Sequence, residues 1–230
     1  MKTGDSKEET DQARKGWLEE FLAGKDHPAP ERGNSRAGAL LAVIKALVNA
    51  LEARDHYTSQ HSAQVTVLAE KIAGTLALPP QELYNIAVAA LLHDIGKIGM
   101  PDRLLYKSGP LTEEEWKMMK RHPDVGAAII GDIPLLEPVA KIVRHHHERW
   151  DGKGYPAGLA GGDIPLGARI VAVADTFQAM VSDRPYRPRR SPQQAAQEIS
   201  ALAGSQFDPA VVKAFTDSFW GNNAFLPAIL

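Results

Sequence analysis

The adjacent pair His93-Asp94 closes an apolar run, Ile86-Ala87-Val88-Ala89-Ala90-Leu91-Leu92, and so points an imidazole and a carboxylate out of a segment built for burial. A buried carboxylate without a partner is strongly unfavourable, and the partner both groups can share is a metal cation. Further candidate ligands are spread along the chain at His61, His122, His146, His147 and Asp175. Any one of them alone reads more simply as an ordinary surface or hydrogen-bonded residue; together they supply the further ligands that a two-metal site would need. Two cations roughly 3.5 to 4 Å apart can lower the pKa of a shared water and neutralise charge on a phosphoryl oxygen. The chain has no cysteine, so disulfides, thiolate sites and a cysteine nucleophile are excluded and the donors must be nitrogen and oxygen. Such a donor set suits iron, manganese, cobalt or nickel, and suits zinc less well.

The elements that must position these groups read as helices. Leu40, Ile44, Leu47, Val48 and Leu51 form one apolar stripe and Val65, Leu68, Ile72 and Leu76 a second, both at helical spacing. Pro79-Pro80 opens a third helix that runs to about His93; it is apolar on most sides and belongs at the centre. Thr112 followed by Glu113-Glu114-Glu115 reads as an N-cap with carboxylates at the positive helix end. Further helices are predicted near 113–121, 123–131, 135–147, 166–181, 191–203 and 209–218. In the 166–181 helix, Val171, Asp175, Gln178 and Ser182 share one face while Ile170, Val173, Phe177 and Val181 share an apolar one, which lets Asp175 reach a polar centre. Lys97, one helical turn after His93, offers a positive charge beside the ligands, against the simpler reading of a solvated lysine. The glycine-rich stretch 151–162 is predicted to be an ordered loop. No strand pattern emerges, and the fold class is all-α.

The chain of 230 residues suits one domain large enough for a sizeable core, here taken as 35–220, with a leader and linker at 1–34 and a short tail at 221–230. The leader carries an amphipathic piece at Trp17-Leu18-Glu19-Glu20-Phe21-Leu22, then Pro28, Pro30 and Gly33. A net charge of −2 gives no polycation for polymeric nucleic acid. No secretory signal is visible, and the apolar stretch 37–51, broken by Lys45 and Asn49, is short of the roughly 20 residues a membrane span needs. A cytoplasmic protein with no membrane contact is expected.

Three ordered motifs carry a family resemblance: His93-Asp94-Ile95-Gly96-Lys97-Ile98-Gly99, then His146-His147-Glu148-Arg149-Trp150-Asp151-Gly152-Lys153-Gly154-Tyr155-Pro156, then Asp183-Arg184-Pro185-Tyr186-Arg187. The chain resembles the HD superfamily of metal phosphohydrolases and, more narrowly, the HD-GYP domain, over roughly positions 40 to 218. The resemblance implies an HD-domain helical bundle with an ordered GYP loop. It implies two divalent ions, iron first and manganese second, bridged by Asp94. His93 and Asp175 would serve one ion and His122 with one or both of His146 and His147 the other; His61 belongs to the same cluster without assignment to either. His145, His27 and His56 match no motif position.

The resemblance further implies that Lys97, Tyr155, Arg184 and Arg187 contact the substrate, with Asp94 and Lys97 at the reacting centre. The substrate implied is cyclic di-GMP, cut to linear pGpG and on to GMP by water that attacks phosphorus and expels a ribose 3′ oxygen. A homodimer or a sensor or signalling partner is a further expectation. Two positions depart from the family. Tyr57 stands where some members carry a third-metal Glu, although Asp55 lies nearby, and Gln178 stands where an acidic residue is common. A neutral amide can hydrogen-bond but not move protons. Two rival readings follow, another HD-type nucleotide phosphohydrolase and a non-catalytic cyclic-dinucleotide or partner-binding module.

Overall fold

The computed structural model describes residues 35–54, 56–182 and 189–220. Ten α-helices account for most of them: α1 (Ser35–Arg54), α2 (His56–Thr75), α3 (Pro80–Leu92), α4 (Asp102–Leu105), α5 (Glu113–Met119), α6 (His122–Gly131), α7 (Glu137–His145), α8 (Leu166–Val181), α9 (Pro192–Ala201) and α10 (Pro209–Trp220). Among the described residues there is no strand, only an isolated bridge between Ala203 and Phe207. No helix among them is long and apolar enough to cross a membrane.

Helix α3 occupies the centre because its sequence leaves it no polar face over its second half. Ile86 through Leu92 are all buried, and α3 packs against α1, α2, α7 and α8. Pro80 opens it at a position where the missing N–H leaves no hydrogen bond unmade. The stripe of α1 faces inward through Leu40, Ile44, Val48 and Leu51, and that of α2 through Val65, Leu68 and Ile72. Each such aliphatic side chain contributes about 1.5–3 kcal/mol by leaving water. Phe177 of α8 and Phe215 of α10 pack with ring centroids 5.3 Å apart, which fixes the chain's last described helix to the core.

Capping boxes start two helices: Thr112, the expected N-cap, with Glu115 at α5, and Ser191 with Gln194 at α9. Several boundaries differ from the sequence reading. The helix expected over 135–147 begins as a 3-10 turn, Pro134–Leu136, and becomes α7 only at Glu137. It ends at His145, with His146 as its C-cap and His147 beyond it. The short α4 and the 3-10 turn Ile95–Gly99 were not anticipated, since neither is long enough to show a period. The 151–162 loop is ordered by main-chain bonds: Trp150 N–H donates to Gln206 O (3.0 Å), Asp151 N–H to Ser205 O (2.8 Å) and Gly161 N–H to Trp150 O (3.0 Å).

Candidate metal centre

His93, His122 and His146 reach the centre by one repeated device. Each sits at or just beyond a helix terminus, and its Nδ1 bonds the carbonyl three residues earlier: Ala90 O at 2.7 Å, Met119 O at 2.9 Å and Val143 O at 2.7 Å. A carbonyl can only accept, so Nδ1 carries the proton and Nε2 is turned inward, with its lone pair free whenever the ring is neutral. His122 Nε2 and His146 Nε2 consequently face each other at 3.4 Å. His93 Nε2 is buried with no hydrogen-bond partner.

Asp94 lies between these rings. Its Oδ2 is 3.4 Å from His93 Nε2 and accepts from Lys97 Nζ at 2.7 Å, while Oδ1 is 3.5 Å from His122 Nε2. From α8, Asp175 Oδ1 meets His61 Nε2 at 2.9 Å and lies 3.9 Å from His93 Nε2. The donors form two groups, His61 with His93 and Asp94, and His122 with His146 and His147; within each, the ligand atoms lie within 4.8 Å of one another. His147 is half-buried, packed at 4.0 Å between ring centroids on His146 and at 4.9 Å on Tyr155.

The electrostatics divide along the same line. Burial works against charge on His93, but Asp94 and Asp175 outweigh it and raise its pKa to about 9. Burial would also raise Asp94 and Asp175, yet Lys97 and His93 hold Asp94, and His61 and His93 hold Asp175, well below the usual carboxylate range. Burial lowers His122 and, with His147 alongside, His146, and with His122 alongside takes His147 to about 3. One side therefore draws in positive charge and the other presents neutral imidazoles. Facing Nε2 lone pairs with ionised carboxylates behind them fit divalent cations held by nitrogen and oxygen.

Of the residues singled out in the sequence, His61, His93, Asp94, His122, His146, His147 and Asp175 are brought together, with Lys97 and Tyr155 at the edge. Arg184, Arg187, Asp55, the side chain of Tyr57, the leader 1–34 and the tail 221–230 lie outside the described residues. His145 stays out of the cluster, its Nδ1 3.5 Å from Glu148. The expected polar face of α8 is corrected: Val171 and Gln178 are fully buried, and neither amide atom of Gln178 makes a hydrogen bond.

The sequence reading gave no role to two residues. Glu148, itself buried, accepts through Oε1 from Ala157 N–H (2.7 Å) and Gly158 N–H (3.1 Å), holding the loop that carries Tyr155. Lys120 sits with Nζ 5.5 Å from the Tyr155 ring centroid. Glu148 was visible only as part of a motif and Lys120 only as the second residue before His122. Glu148→Ala leaves two loop amides unpaired and is expected to lower stability by about 1–3 kcal/mol, whereas Glu148→Gln, which keeps an accepting oxygen, is expected to lose less than half as much. Urea titrations of both variants decide this; equal losses would mean that these two bonds do not hold the loop.

An all-helical domain with nitrogen and carboxylate donors gathered around one buried aspartate defines a metal-centre protein of the His-Asp kind. A family model described as the HD domain matches residues 45–211, and the chain belongs to this family, with the motifs of its HD-GYP members. A cyclic di-GMP phosphodiesterase of Thermotoga maritima is 45% identical over 178 residues, 76% of this chain and 48% of that protein. A 3′3′-cGAMP-specific phosphodiesterase of Vibrio cholerae is 37% identical over 186 residues, 79% of this chain and 36% of that protein. The chain thus spans about half or less of the length of these curated relatives. The crystal structure of a cyclic GMP-AMP specific phosphodiesterase of V. cholerae superposes with a TM-score of 0.63 at 21% identity, covering 81% of this chain and 50% of that one, and has the same fold.

Proposed function

We propose that this chain is a metal-dependent phosphodiesterase that hydrolyses cyclic di-GMP to linear pGpG, with GMP as a further product. The observation that carries the reading is Asp94, with one carboxylate oxygen toward His93 and the other toward His122, and with Lys97 on the same carboxylate. His61, His93, Asp94 and Asp175 would hold one divalent ion and His122, His146 and His147 the other, with Asp94 shared. Iron is the first expectation and manganese the second. Bound there, the ions would supply an activated water and neutralise charge on the phosphoryl group.

The protein's own residues do the rest. The Nδ1 contacts to main-chain carbonyls hold three imidazoles in one tautomer, so the site is organised before substrate arrives. Lys97 places an ammonium at the reacting centre, where it can meet a phosphate oxygen. Tyr155 packs on His147, and burial raises its pKa; its phenol therefore stays protonated, available to donate a hydrogen bond while the ring stacks on a base. Arg184 and Arg187 would bind phosphate through their planar forks. The catalytic domain would be 35–220, working in the cytoplasm under a sensor partner or as a homodimer.

Anaerobic purification, metal analysis and product identification on one sample test the reading, with 3′3′-cGAMP and simple nucleotides run beside cyclic di-GMP. Iron or manganese with pGpG as first product is the expected result. Faster release from another nucleotide would replace the substrate assignment. Tight binding with no cleavage in both iron- and manganese-loaded protein would make the chain a binding module.

A further inference from the structure

Several of the described lysines are held by carboxylates. Lys97, Lys107, Lys117, Lys141 and Lys213 each contact a carboxylate, at 2.7, 2.5, 3.0, 2.9 and 2.6 Å. Lys120 forms no such pair among the described residues. It is exposed, caps the end of α5 two residues before His122, and holds its ammonium 5.5 Å from the Tyr155 ring centroid. Tyr155 in turn packs on His147 at 4.9 Å. From His147 through Tyr155 these contacts lead to an exposed positive charge on a flexible stem with three rotatable donors.

A cyclic dinucleotide is a dianion with two phosphodiesters in one ring. When one of them is at the reacting centre, the other must lie outside it, on the side from which the ring projects. Lys97 is engaged at the inner end with Asp94 (2.7 Å). We infer that Lys120 binds the second, non-reacting phosphate of the substrate, beside the Tyr155 ring, and so selects cyclic dinucleotides over esters with a single phosphate. This rests on the phosphodiesterase reading above. A competing role, in which Lys120 only covers the Tyr155 face and steadies the loop, predicts equal effects on all substrates.

The test uses the metal-loaded full chain and compares wild type, Lys120→Gln and Lys120→Arg on cyclic di-GMP and on bis(p-nitrophenyl) phosphate, which has one phosphate. A charge-assisted contact to phosphate is expected to change affinity by about tenfold. Lys120→Gln should therefore raise KM for cyclic di-GMP by that factor with kcat within about twofold. It should leave the single-phosphate ester unchanged, and Lys120→Arg should restore KM. Equilibrium binding of a non-hydrolysable phosphorothioate analogue of cyclic di-GMP to the metal-loaded protein should weaken by the same factor. Unchanged KM and binding in Lys120→Gln would overturn the inference, and so would equal losses on both substrates. Wild-type protein that cleaves the single-phosphate ester but neither binds nor cleaves cyclic di-GMP would instead remove the substrate reading on which it rests.

Discussion

If the proposed function holds, Asp94→Ala protein is expected to lose metal binding and hydrolysis of cyclic di-GMP together while keeping its helices. The carboxylate contacts both ligand groups, through Oδ2 toward His93 and Oδ1 toward His122, so its removal separates the two halves of the centre electrically. What remains on the His122 side is a set of imidazoles whose charged forms burial already opposes, with no anion between them to compensate a cation. Changing a residue that merely supports a metal ligand costs about 10–100-fold in affinity, so loss of a shared ligand should exceed 100-fold. Lys97→Ala is the contrast: it removes a cation beside Asp94, leaves every donor in place, and should keep the metal while turnover falls by about 100–1,000-fold. Metal content by mass spectrometry, circular dichroism and hydrolysis of cyclic di-GMP separate the two variants. Full metal and full activity in Asp94→Ala would refute the shared-ligand assignment.

The parts of this arrangement that were legible in the sequence are those governed by a period or a cap. The stripe of α1, the two-proline start of α3, the Thr112 cap and the limits of α8 follow from local rules that tertiary packing did not override. The order of histidines and acids was legible too, because it is linear. Depth was not. Gln178 shares a helical spacing with Asp175, yet Asp175 meets His61 while Gln178 is sealed in the core. A period assigns a face but does not say how far the neighbouring helix overlaps it. The consecutive pair His146-His147 posed a similar limit: in a continuing helix the two would point about 100° apart. Because α7 stops at His145, both join one cluster. Helix ends are set by which carbonyls find other partners, and here the partner is a histidine Nδ1. Lys120 and Tyr155, 35 positions apart in the sequence, meet only through the fold.

Gly96→Ala should cost both stability and metal, because this glycine is where the 3-10 turn after His93-Asp94 lies directly on the start of α6. A Cβ at Gly96 would stand 1.9 Å from His122 O, 2.6 Å from Gly126 N and 2.8 Å from His122 C. All three are backbone atoms, so no side chain can rotate away, and the turn and α6 must part. Overpacking of this kind costs about 1–3 kcal/mol or more, which for a domain of this size lowers Tm by roughly 3–10 °C. The same displacement moves His122 off Asp94, where the gap is now 3.5 Å, and so loosens the contact joining the two ligand groups. Gly126 supplies the internal control. Its Cβ would approach Val143 Cγ1 at 3.1 Å, Gly96 N at 3.2 Å and Ile95 Cγ2 at 3.2 Å, contacts that a shift of a few tenths of an ångström relieves and that alanine's better helix propensity, about 1 kcal/mol, offsets in part, so Gly126→Ala should lose less than Gly96→Ala. Thermal unfolding with and without added manganese checks both: ligand binding stabilises with the logarithm of its affinity, and the increment should shrink in Gly96→Ala but persist in Gly126→Ala. An unaltered increment in Gly96→Ala would mean that the turn and α6 can separate without disturbing His122.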